Sequence, residues 1–502
     1  MAASIESQAG KSVLAYTNIA LLLIIAVAVA TRIVAWWNPV AHVDDQFYLL
    51  AGQELLKGHW PYVDVWDRKP LGLFLLYAGI AWIGGGSILG LNLVATAFAA
   101  ATAVVIRQIA LRFATPAGAT LGALAYLLVI PLVGGQTGQS PVFYNLLIAG
   151  AALMLLEAAG SQSRAGNVRR ALCAMLMCGL AMTIKQISFI EGAYLGMAFL
   201  WVLKSRGASI AQTAAAGALM VFVALLPTAL AVIGYALAGP QQLDRLMFAT
   251  VTSIFLKSGW DLNAKLAGFA YFLLYLTPLF VMAGLGVRDR MKAGPGNIQD
   301  SLLVGWIAAS FIGYFAVPHF FDHYALPVVG PLSVSAATFF DRRSGRAYFL
   351  ALAAFCVISP PIRDYSTNRR AKIEYDKIDA AVERARTGGC IYIGDGPSRL
   401  YSSTQACTVT AYLFPDHLNL KIEANAVGID TGRELEAIWQ RRPAAIVTPK
   451  LKMGRYSPAY RRLLMRLNDA YRPVYTAPSD APGGLEGVSV WQRKDLPPPT
   501  GN

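Results

Sequence analysis

Long apolar runs recur along most of this 502-residue chain. Runs of about 17–25 residues are long enough to cross the hydrocarbon core of a bilayer as helices. Charged residues make up only 14% of the chain, against about a quarter in a soluble globular protein. The first run begins near Tyr16 and is followed by many others, so we do not expect it to be a cleaved signal peptide. The pattern predicts a polytopic α-helical membrane protein.

The apolar runs predict about eleven membrane-spanning helices. They lie at 17–37, 87–106, 117–133, 142–159, 171–186, 187–203, 211–238, 266–287, 301–317, 324–340 and 347–361. Lys and Arg concentrate in alternate connectors, whereas 134–141 and 318–323 contain neither. Basic connectors face the cytoplasm, so the N-terminus is expected inside and the C-terminal tail outside. The net charge of +14 comes mostly from these connectors and indicates membrane anchoring rather than nucleic-acid binding.

The apolar run at 70–84 is too short for an ordinary span and opens with Pro70. Counting it as a span would reverse every later connector and place the basic ones outside. We therefore predict an interfacial helix there. The whole loop at 38–86 is expected to contain two such helices at the external face. Its first helix starts at Asp44 and is ended by Gly58 and Pro61. One face is polar and the other apolar, with Gln46, Gln53 and Lys57 against Phe47, Ala51 and Leu55.

The composition changes near residue 363, which predicts a membrane domain at 1–362 and a small soluble domain at 363–502. Apolar segments at 390–394, 444–449 and 487–493 are predicted strands, and segments near 371–387, 432–441 and 457–468 are predicted helices. This alternation indicates an α/β domain. Cys390 and Cys407 lie within it, and a disulfide between them is possible if the tail is outside the cytoplasm.

The loop between the first two apolar stretches concentrates charge beside the membrane. Residues 42–70 carry Asp44, Asp45, Glu54, Asp64, Asp67, Arg68 and Lys69. Such charge density is costly in lipid, so the loop is expected to lie at the interface. A carboxylate there can meet a substrate dissolved in the bilayer. This loop is therefore the first place to look for chemistry.

Three segments resemble the GT-C membrane glycosyltransferases, in particular the protein mannosyltransferase and aminoarabinose transferase group (glycosyltransferase family 39-like). They are VDDQFYLLAGQELLKGHWPY at 43–62, RKPLG at 68–72 and HFFDHYALPVVGPL at 319–332. The resemblance also covers the order of spans across roughly 15–340, but not the tail. It implies a GT-C fold and transfer of a sugar from a polyprenyl-phosphate donor to an acceptor at the external face.

The resemblance assigns roles in the first loop. Asp44 matches the family's general base, which takes the proton of the acceptor hydroxyl; an Asp here also suits the N-cap of the following helix. Asp45 fills the second acidic position and points about 100° away, toward an acceptor-positioning role or toward water. Lys69 matches the lysine that contacts the lipid-linked phosphate, and Arg68 is a second candidate for that contact. The alternative for Lys69 is an anchor that reaches the interface.

Further candidates lie in later spans. Lys185 ends the fifth predicted span and is expected either to bind the donor phosphate or to anchor the helix. His323 and Tyr324 resemble the family's His-Tyr element near the donor, with His323 toward the phosphate and Tyr324 toward the sugar. His319, Asp322 and His323 together would suit a metal, but no ligand spacing supports one. We expect neither a metal nor a cofactor.

The second external loop departs from the family pattern. Relatives often carry an acidic residue there, whereas GGQTGQSPVFYN at 134–145 has none. Gln136, Gln139 and Asn145 are the expected neutral contacts to sugar or acceptor. In the aminoarabinose branch an acidic residue precedes the Lys-Pro pair, whereas Arg68 occupies that position here. This departure leaves the sugar unnamed.

The sequence thus predicts an inverting glycosyltransferase of a bacterial inner membrane, with its active site and tail in the periplasm. Its partners would be a polyprenyl-phosphate sugar, membrane lipids, and a lipid, polysaccharide or protein acceptor. The alternative is a transporter or flippase of lipid-linked sugars. Transporters usually carry internal repeats and charges at mid-membrane, which are not evident here. A structural assembly subunit, the third class, would not need Asp44 and Lys69 together.

Overall fold

The chain is mostly helical in a computed structural model that describes residues 2–257, 262–294, 296–317, 320–449 and 454–499, with side chains from residue 16 onward except at 293. The first helices are α1 (Ala2–Ala30), α2 (Val43–Leu56), α3 (Leu71–Ile83), α4 (Ile88–Ala110), α5 (Pro116–Val129), α6 (Ser140–Gly160), α7 (Arg164–Ile184) and α8 (Phe189–Ser205). They are followed by α9 (Ile210–Ala238), α10 (Pro240–Met247), α11 (Ser253–Leu256), α12 (Leu262–Ala293), α13 (Ile298–Phe315), α14 (Leu326–Phe340), α15 (Arg343–Ile358) and α16 (Pro360–Arg363).

The C-terminal part contains both helices and strands. Its helices are α17 (Tyr365–Arg386), α18 (Leu400–Ser403), α19 (Asp416–Asn419), α20 (Thr431–Gln440) and α21 (Pro458–Ala470). Its strands are β1 (Ile391–Ile393), β2 (Ala445–Thr448), β3 (Tyr471–Thr476) and β4 (Ser489–Arg493). The predicted combination of a polytopic helical protein and a small C-terminal α/β region is confirmed.

Nine helices in the described parts of the chain are long and apolar enough to cross a membrane. They are Tyr16–Ala35, Ile88–Ala110, Pro116–Val133, Ser140–Gly160, Arg164–Ile184, Gln186–Ser205, Ile210–Ala238, Leu262–Lys292 and Ile298–Phe315. The chain is therefore a multi-pass membrane protein. The last two of the eleven predicted spans are also helices, α14 and α15, but with 15 and 16 residues they are short for a crossing of about 20 residues.

The predicted interfacial segment at 70–84 is the 13-residue helix α3. Pro70 is its N-cap residue and Gly84 its C-cap residue, so the helix has the expected ends. Its length is well below that of a spanning helix. Its position at the membrane interface stays a prediction.

Contacts divide the chain into two compact units. The membrane unit comprises the described residues of 1–34, 93–228 and 262–363, and the tail unit those of 35–92, 229–261 and 364–502. The loop with Asp44 and Lys69 therefore belongs to the same unit as the C-terminal tail. This grouping matters for the site, because the tail contacts the loop directly.

Helix α14 forms the centre of the membrane unit. All but two of its 15 residues are buried, as expected of a helix that is apolar on every face. It packs against α5 and α12. A side chain at Gly286 of α12 would collide with the carbonyl oxygen of Ser335, so glycine permits this close approach.

The sheet of the tail unit has the order β1-β2-β4-β3. β1 and β2 are parallel, with Ile391 opposite Ala445, and both are buried along their whole length. β4 pairs antiparallel with both β2 and β3. The three predicted strands are present; β3 was not predicted, since it follows α21 without a turn and contains Pro473. Cys390 and Cys407 form a disulfide beside β1.

Candidate active site

The two acidic candidates lie in the first turn of α2. His42 is the N-cap residue, and its Nδ1 accepts a hydrogen bond from the backbone N–H of Asp44 at 3.3 Å. The alternative that Asp44 itself caps the helix is therefore wrong. Asp44 is half-buried, whereas the neighbouring Asp45 is only 4% exposed. The two carboxylates thus have different environments.

Helix α2 is less open to water than its sequence pattern predicts. Nine of its 14 residues are buried, including Gln46 on the predicted polar face. The side-chain oxygen of Gln46 accepts from the backbone N–H of Arg399 at 3.4 Å, and that of Gln53 accepts from Arg399 Nη1 at 3.4 Å. The tail therefore covers the face that was expected to be solvated.

Helices α2 and α3 are in close contact through Gly52. A Cβ atom at this position would lie 2.5 Å from the carbonyl carbon of Tyr77, so a larger residue would force the helices apart. The rings of Tyr48 and Tyr77 pack edge to face with centroids 5.4 Å apart. This packing joins the helix that begins at Asp44 to the helix that Lys69 precedes.

The backbone at Lys69 is held by Tyr62. The hydroxyl of Tyr62 donates to the carbonyl oxygen of Lys69 at 2.8 Å, and its ring packs edge to face on Phe74 of α3. Tyr62 is fully buried and has a φ of 67°, which is uncommon for an aromatic residue. Such a conformation persists only where the surroundings fix it. The Lys69 side chain therefore extends from a firmly held backbone.

Arg68 makes an ion pair with the tail. Its Nη1 and Nη2 lie 3.2 and 2.5 Å from the two carboxylate oxygens of Glu423, a bidentate arrangement. Lys257 Nζ lies 2.7 Å from the same carboxylate. Burial opposes ionisation of Glu423, but the attraction of Arg68 and Lys257 outweighs it and lowers the pKa of Glu423 to about 2. We call these three residues the Glu423 cluster.

Asp67 is a second carboxylate near the acidic pair. It is 5% exposed, and its Oδ1 accepts from the backbone N–H of Arg68 at 2.7 Å. Burial raises the pKa of Asp67, the positive charges of Lys69 and Arg68 act against that rise, and the negative charge of Asp44 adds to it. The Asp67 carboxylate therefore interacts electrostatically with both Asp44 and Lys69.

The tail also contacts the loop through aromatic residues. The backbone N–H of Trp66 donates to the carbonyl oxygen of Ala411 at 2.9 Å, and the Trp66 ring packs edge to face on His417 at 4.6 Å. His417 Nε2 lies 3.7 Å from Asp67 Oδ1. Burial, together with the nearby positive charge of Arg68, lowers the pKa of His417 well below its usual value. This histidine is neutral at physiological pH.

Lys185 and Tyr324 come together in the membrane unit. The ammonium of Lys185 lies 3.9 Å from the centre of the Tyr324 ring, a cation–π contact. Lys185 is 5% exposed and follows α7 in an extended conformation. His323 packs beside Tyr324 with ring centroids 4.7 Å apart, and its backbone N–H donates to Asp322 Oδ1 at 2.7 Å. His319, the remaining candidate of this segment, lies outside the described residues.

The loop at 134–141 is held by Arg32. This residue of the first span is fully buried, and its guanidinium donates to the carbonyl oxygens of Gly135 and, at 2.7 Å, Thr137. In the same region Gln136 is half-buried, Gln139 is 1% exposed, and Asn145 donates to the carbonyl oxygen of Leu326 at 3.2 Å. Asn145 therefore joins α6 to the start of α14.

Four charged residues of this arrangement were not singled out from the sequence as site residues: Arg32, Asp67, Lys257 and Glu423. The position of Arg32 inside an apolar span was an available signal, because a buried charge in a membrane segment needs partners. Asp67 stands two residues before Lys69 in a loop already selected for its charge. Lys257 and Glu423 carry no local motif, and only the fold brings them to Arg68.

No protein-family model and no curated protein matches the sequence. Among solved structures, ArnT from Cupriavidus metallidurans bound to undecaprenyl phosphate matches with a TM-score of 0.62 at 13% identity, over 96% of this chain and 98% of ArnT. The apo oligosaccharyltransferase of Archaeoglobus fulgidus matches with a TM-score of 0.54 at 12% identity, over 92% and 80% of the two chains. AglB of the same organism, in complex with an inhibitory peptide and a dolichol-phosphate, matches with a TM-score of 0.54 at 11% identity, over 92% of this chain and 79% of AglB. ArnT and AglB are GT-C glycosyltransferases, and the predicted fold is confirmed: this chain has the GT-C fold.

Proposed function

We propose that the protein is a glycosyltransferase that moves a sugar from a polyprenyl-phosphate donor to an acceptor hydroxyl. The observation that carries the proposal is the pair formed by α2 and α3. A half-buried carboxylate, Asp44, begins one helix, and a firmly held lysine, Lys69, precedes the other. The GT-C fold supports this reading, because the similar solved structures include one with undecaprenyl phosphate and one with a dolichol-phosphate.

In the proposed reaction Asp44 is the general base. The acceptor oxygen attacks the anomeric carbon of the donor while its proton moves to the Asp44 carboxylate. The bond from the anomeric carbon to the phosphate oxygen breaks in the same step, which inverts the configuration of the sugar. Asp44 is suited to this role because its half-buried carboxylate lies in the first turn of α2.

Lys69 is proposed to stabilise the departing phosphate. Negative charge grows on the leaving oxygen, and a fixed cation lowers the barrier most when it needs no rearrangement. The hydrogen bond from Tyr62 to the Lys69 carbonyl supplies this fixed starting point. Lys185 and His323 remain proposed phosphate contacts, and Tyr324, Gln136, Gln139 and Asn145 proposed sugar or acceptor contacts. Asp45 is proposed to position the acceptor.

We propose a smaller role for Arg68 than its sequence position suggests. Its guanidinium is engaged by both oxygens of Glu423, so a donor phosphate would have to compete with a buried carboxylate for it. Direct phosphate binding is therefore assigned to Lys69, and Arg68 is proposed to support the loop.

The tail and the loop are proposed to face the periplasm of a bacterial inner membrane. Disulfides persist in oxidising compartments, and Cys390 and Cys407 are joined in the same unit as the loop. The positive-inside pattern of the connectors supports the same orientation.

The test is sugar transfer by the full chain in detergent, with synthetic polyprenyl-phosphate pentoses and hexoses as donors. Wild type is expected to consume at least one of them, and Asp44→Asn is expected to lose about 10²- to 10⁴-fold in rate. Asp64→Asn is the matched control in the same loop, since Asp64 is exposed and an asparagine oxygen can still accept from the Trp60 N–H. Normal transfer by Asp44→Asn would rule out the proposed base. In a second assay with the protein in lipid vesicles, movement of the lipid-linked sugar across the bilayer without its consumption would instead favour the transporter.

A further inference from the structure

The Glu423 cluster joins three distant segments of the chain at one carboxylate. Arg68 belongs to the loop before α3, Lys257 follows α11, and Glu423 lies in the tail. The Glu423 side chain is 3% exposed, and those of Arg68 and Lys257 are 14% and 19% exposed. Because two cations share one buried carboxylate, its removal would leave them as neighbours of like charge in a poorly hydrated place.

The side chain of Arg68 is held from a second direction. Its Nε donates to the hydroxyl of Ser253 at 3.3 Å, and that hydroxyl donates to the carbonyl oxygen of Ala426 in the tail at 2.6 Å. Ser253 is fully buried. The guanidinium is thus bonded through all three of its nitrogens, to Glu423 and to Ser253. Its plane is fixed by the tail and by the residue that begins α11.

The constraint on Arg68 extends along the backbone to Lys69. Lys69 follows Arg68 directly, its own carbonyl is held by Tyr62, and Pro70 after it allows few backbone conformations. Movement of Arg68 would therefore shift the backbone of Lys69 and, with it, the position of the Lys69 side chain. A displacement of about 1 Å at a reacting group can cost about 100-fold in rate, so this starting point matters for catalysis.

We infer that Glu423 is a positioning residue for the donor phosphate, acting through Arg68 and the loop backbone on Lys69. The inference rests on the proposed function, because it takes the ligand of Lys69 to be a polyprenyl phosphate. It gives the tail a part in donor binding without contact between Glu423 and the lipid.

The experiment measures the dissociation constant of undecaprenyl phosphate for the full chain in detergent. Glu423→Gln keeps the size of the side chain and removes its charge; we expect binding to weaken about tenfold. Glu423→Asp keeps the charge and is expected to recover part of that loss. Glu436→Gln is the control, since Glu436 forms an exposed tail ion pair with Arg466 at 2.7 Å; it is expected to bind as wild type does.

A double-mutant cycle separates positioning from a general loss of structure. If Glu423 acts through Lys69, then Lys69→Gln with Glu423→Gln binds no more weakly than Lys69→Gln alone. Additive losses, or wild-type affinity of Glu423→Gln, would overturn the inference. If Glu423→Gln does not fold, the same cycle with Glu423→Asp gives the answer by the same criterion. Failure of wild type to bind undecaprenyl phosphate would instead count against the proposed function.

Discussion

Asp44 and Lys69, at the starts of α2 and α3, are positioned in different ways. The start of α2 is set locally, because the cap of the helix is His42, two residues before Asp44. The start of α3 is set by the tail, because Arg68 pairs with Glu423, 355 positions later in the chain. The first arrangement follows from a short stretch of sequence, and the second exists only in the folded protein.

The two arrangements predict different effects of mutation, on catalysis in one case and on stability in the other. The cap of α2 is His42, so removing the charge of Asp44 keeps that cap and is expected to affect chemistry more than stability. Arg68 and Glu423 join the loop to the tail, so removing either is expected to affect stability first. Lys69 stands between the two cases, since its backbone carbonyl is held by Tyr62 while its side chain is proposed to meet the donor.

Among the variants at the start of α3 and in the tail, the largest effect is expected for Lys69→Gln. Loss of one fixed charge at the leaving oxygen should reduce transfer about 10²- to 10³-fold. The thermal midpoint should remain that of wild type, because glutamine leaves the Tyr62 hydrogen bond to the backbone intact. Lys57→Gln serves as control, since Lys57 is 57% exposed and, in the contacts described, pairs only with Glu54. Equal rates for the two variants would remove the distinction between Lys69 and an ordinary surface lysine.

A smaller effect is expected for Arg68→Gln, mainly on stability. The buried Glu423 would keep Lys257 as a partner but lose the bidentate pair, which should lower the free energy of unfolding by about 3 kcal/mol. Arg442→Gln breaks an exposed pair with Asp495 and should leave the free energy of unfolding close to that of wild type. Denaturant titration of the detergent-solubilised protein, followed by Trp fluorescence, measures both. Similar costs for the two variants would show that the Glu423 cluster is not a structural link.

The smallest effect concerns pH. The pKa of Glu423 is about 2 in the folded protein and is expected near its usual value of about 4.3 in the unfolded chain. A lowered carboxylate pKa stabilises the fold above the unfolded value, and this contribution is lost as the pH falls toward the folded value. The stability advantage of wild type over Glu423→Gln should thus be constant from pH 8 to 5.5 and shrink between about pH 4.5 and 2. A decline between pH 8 and 6 would contradict this assignment.

Local patterns in the sequence were enough for most of the helices and strands. Hydropathy marked the spans, and the run opened by Pro70 and closed by Gly84 matches α3. Strands β1, β2 and β4 were visible as short apolar segments, whereas β3 was concealed by Pro473 and by its direct continuation from α21. Span length was harder, because the predicted span at 324–340 includes Tyr324 and Ala325, which belong to a 3₁₀ turn before α14.

Long-range partners could not be predicted from the same patterns. Arg68 was assigned to a phosphate because only its neighbours in sequence were known, and nothing local indicates that Glu423 meets it. The polar face of α2 was predicted from local periodicity alone, which gave no sign that Arg399 of the tail bonds to Gln46 and Gln53 on it. The capping role of Asp44 was a local alternative, and it was wrong because the N-cap residue of α2 is His42, two residues earlier.

The most direct test of the central claim compares donor binding with transfer in Asp44→Asn and Lys69→Gln. Asp44→Asn is expected to bind undecaprenyl phosphate as wild type does but to transfer sugar about 10²- to 10⁴-fold more slowly, because it lacks only the base. Lys69→Gln should bind the phosphate more weakly and transfer slowly. If Asp44→Asn loses phosphate binding as fully as Lys69→Gln does, or transfers sugar normally, the division of labour between the two helix starts is contradicted.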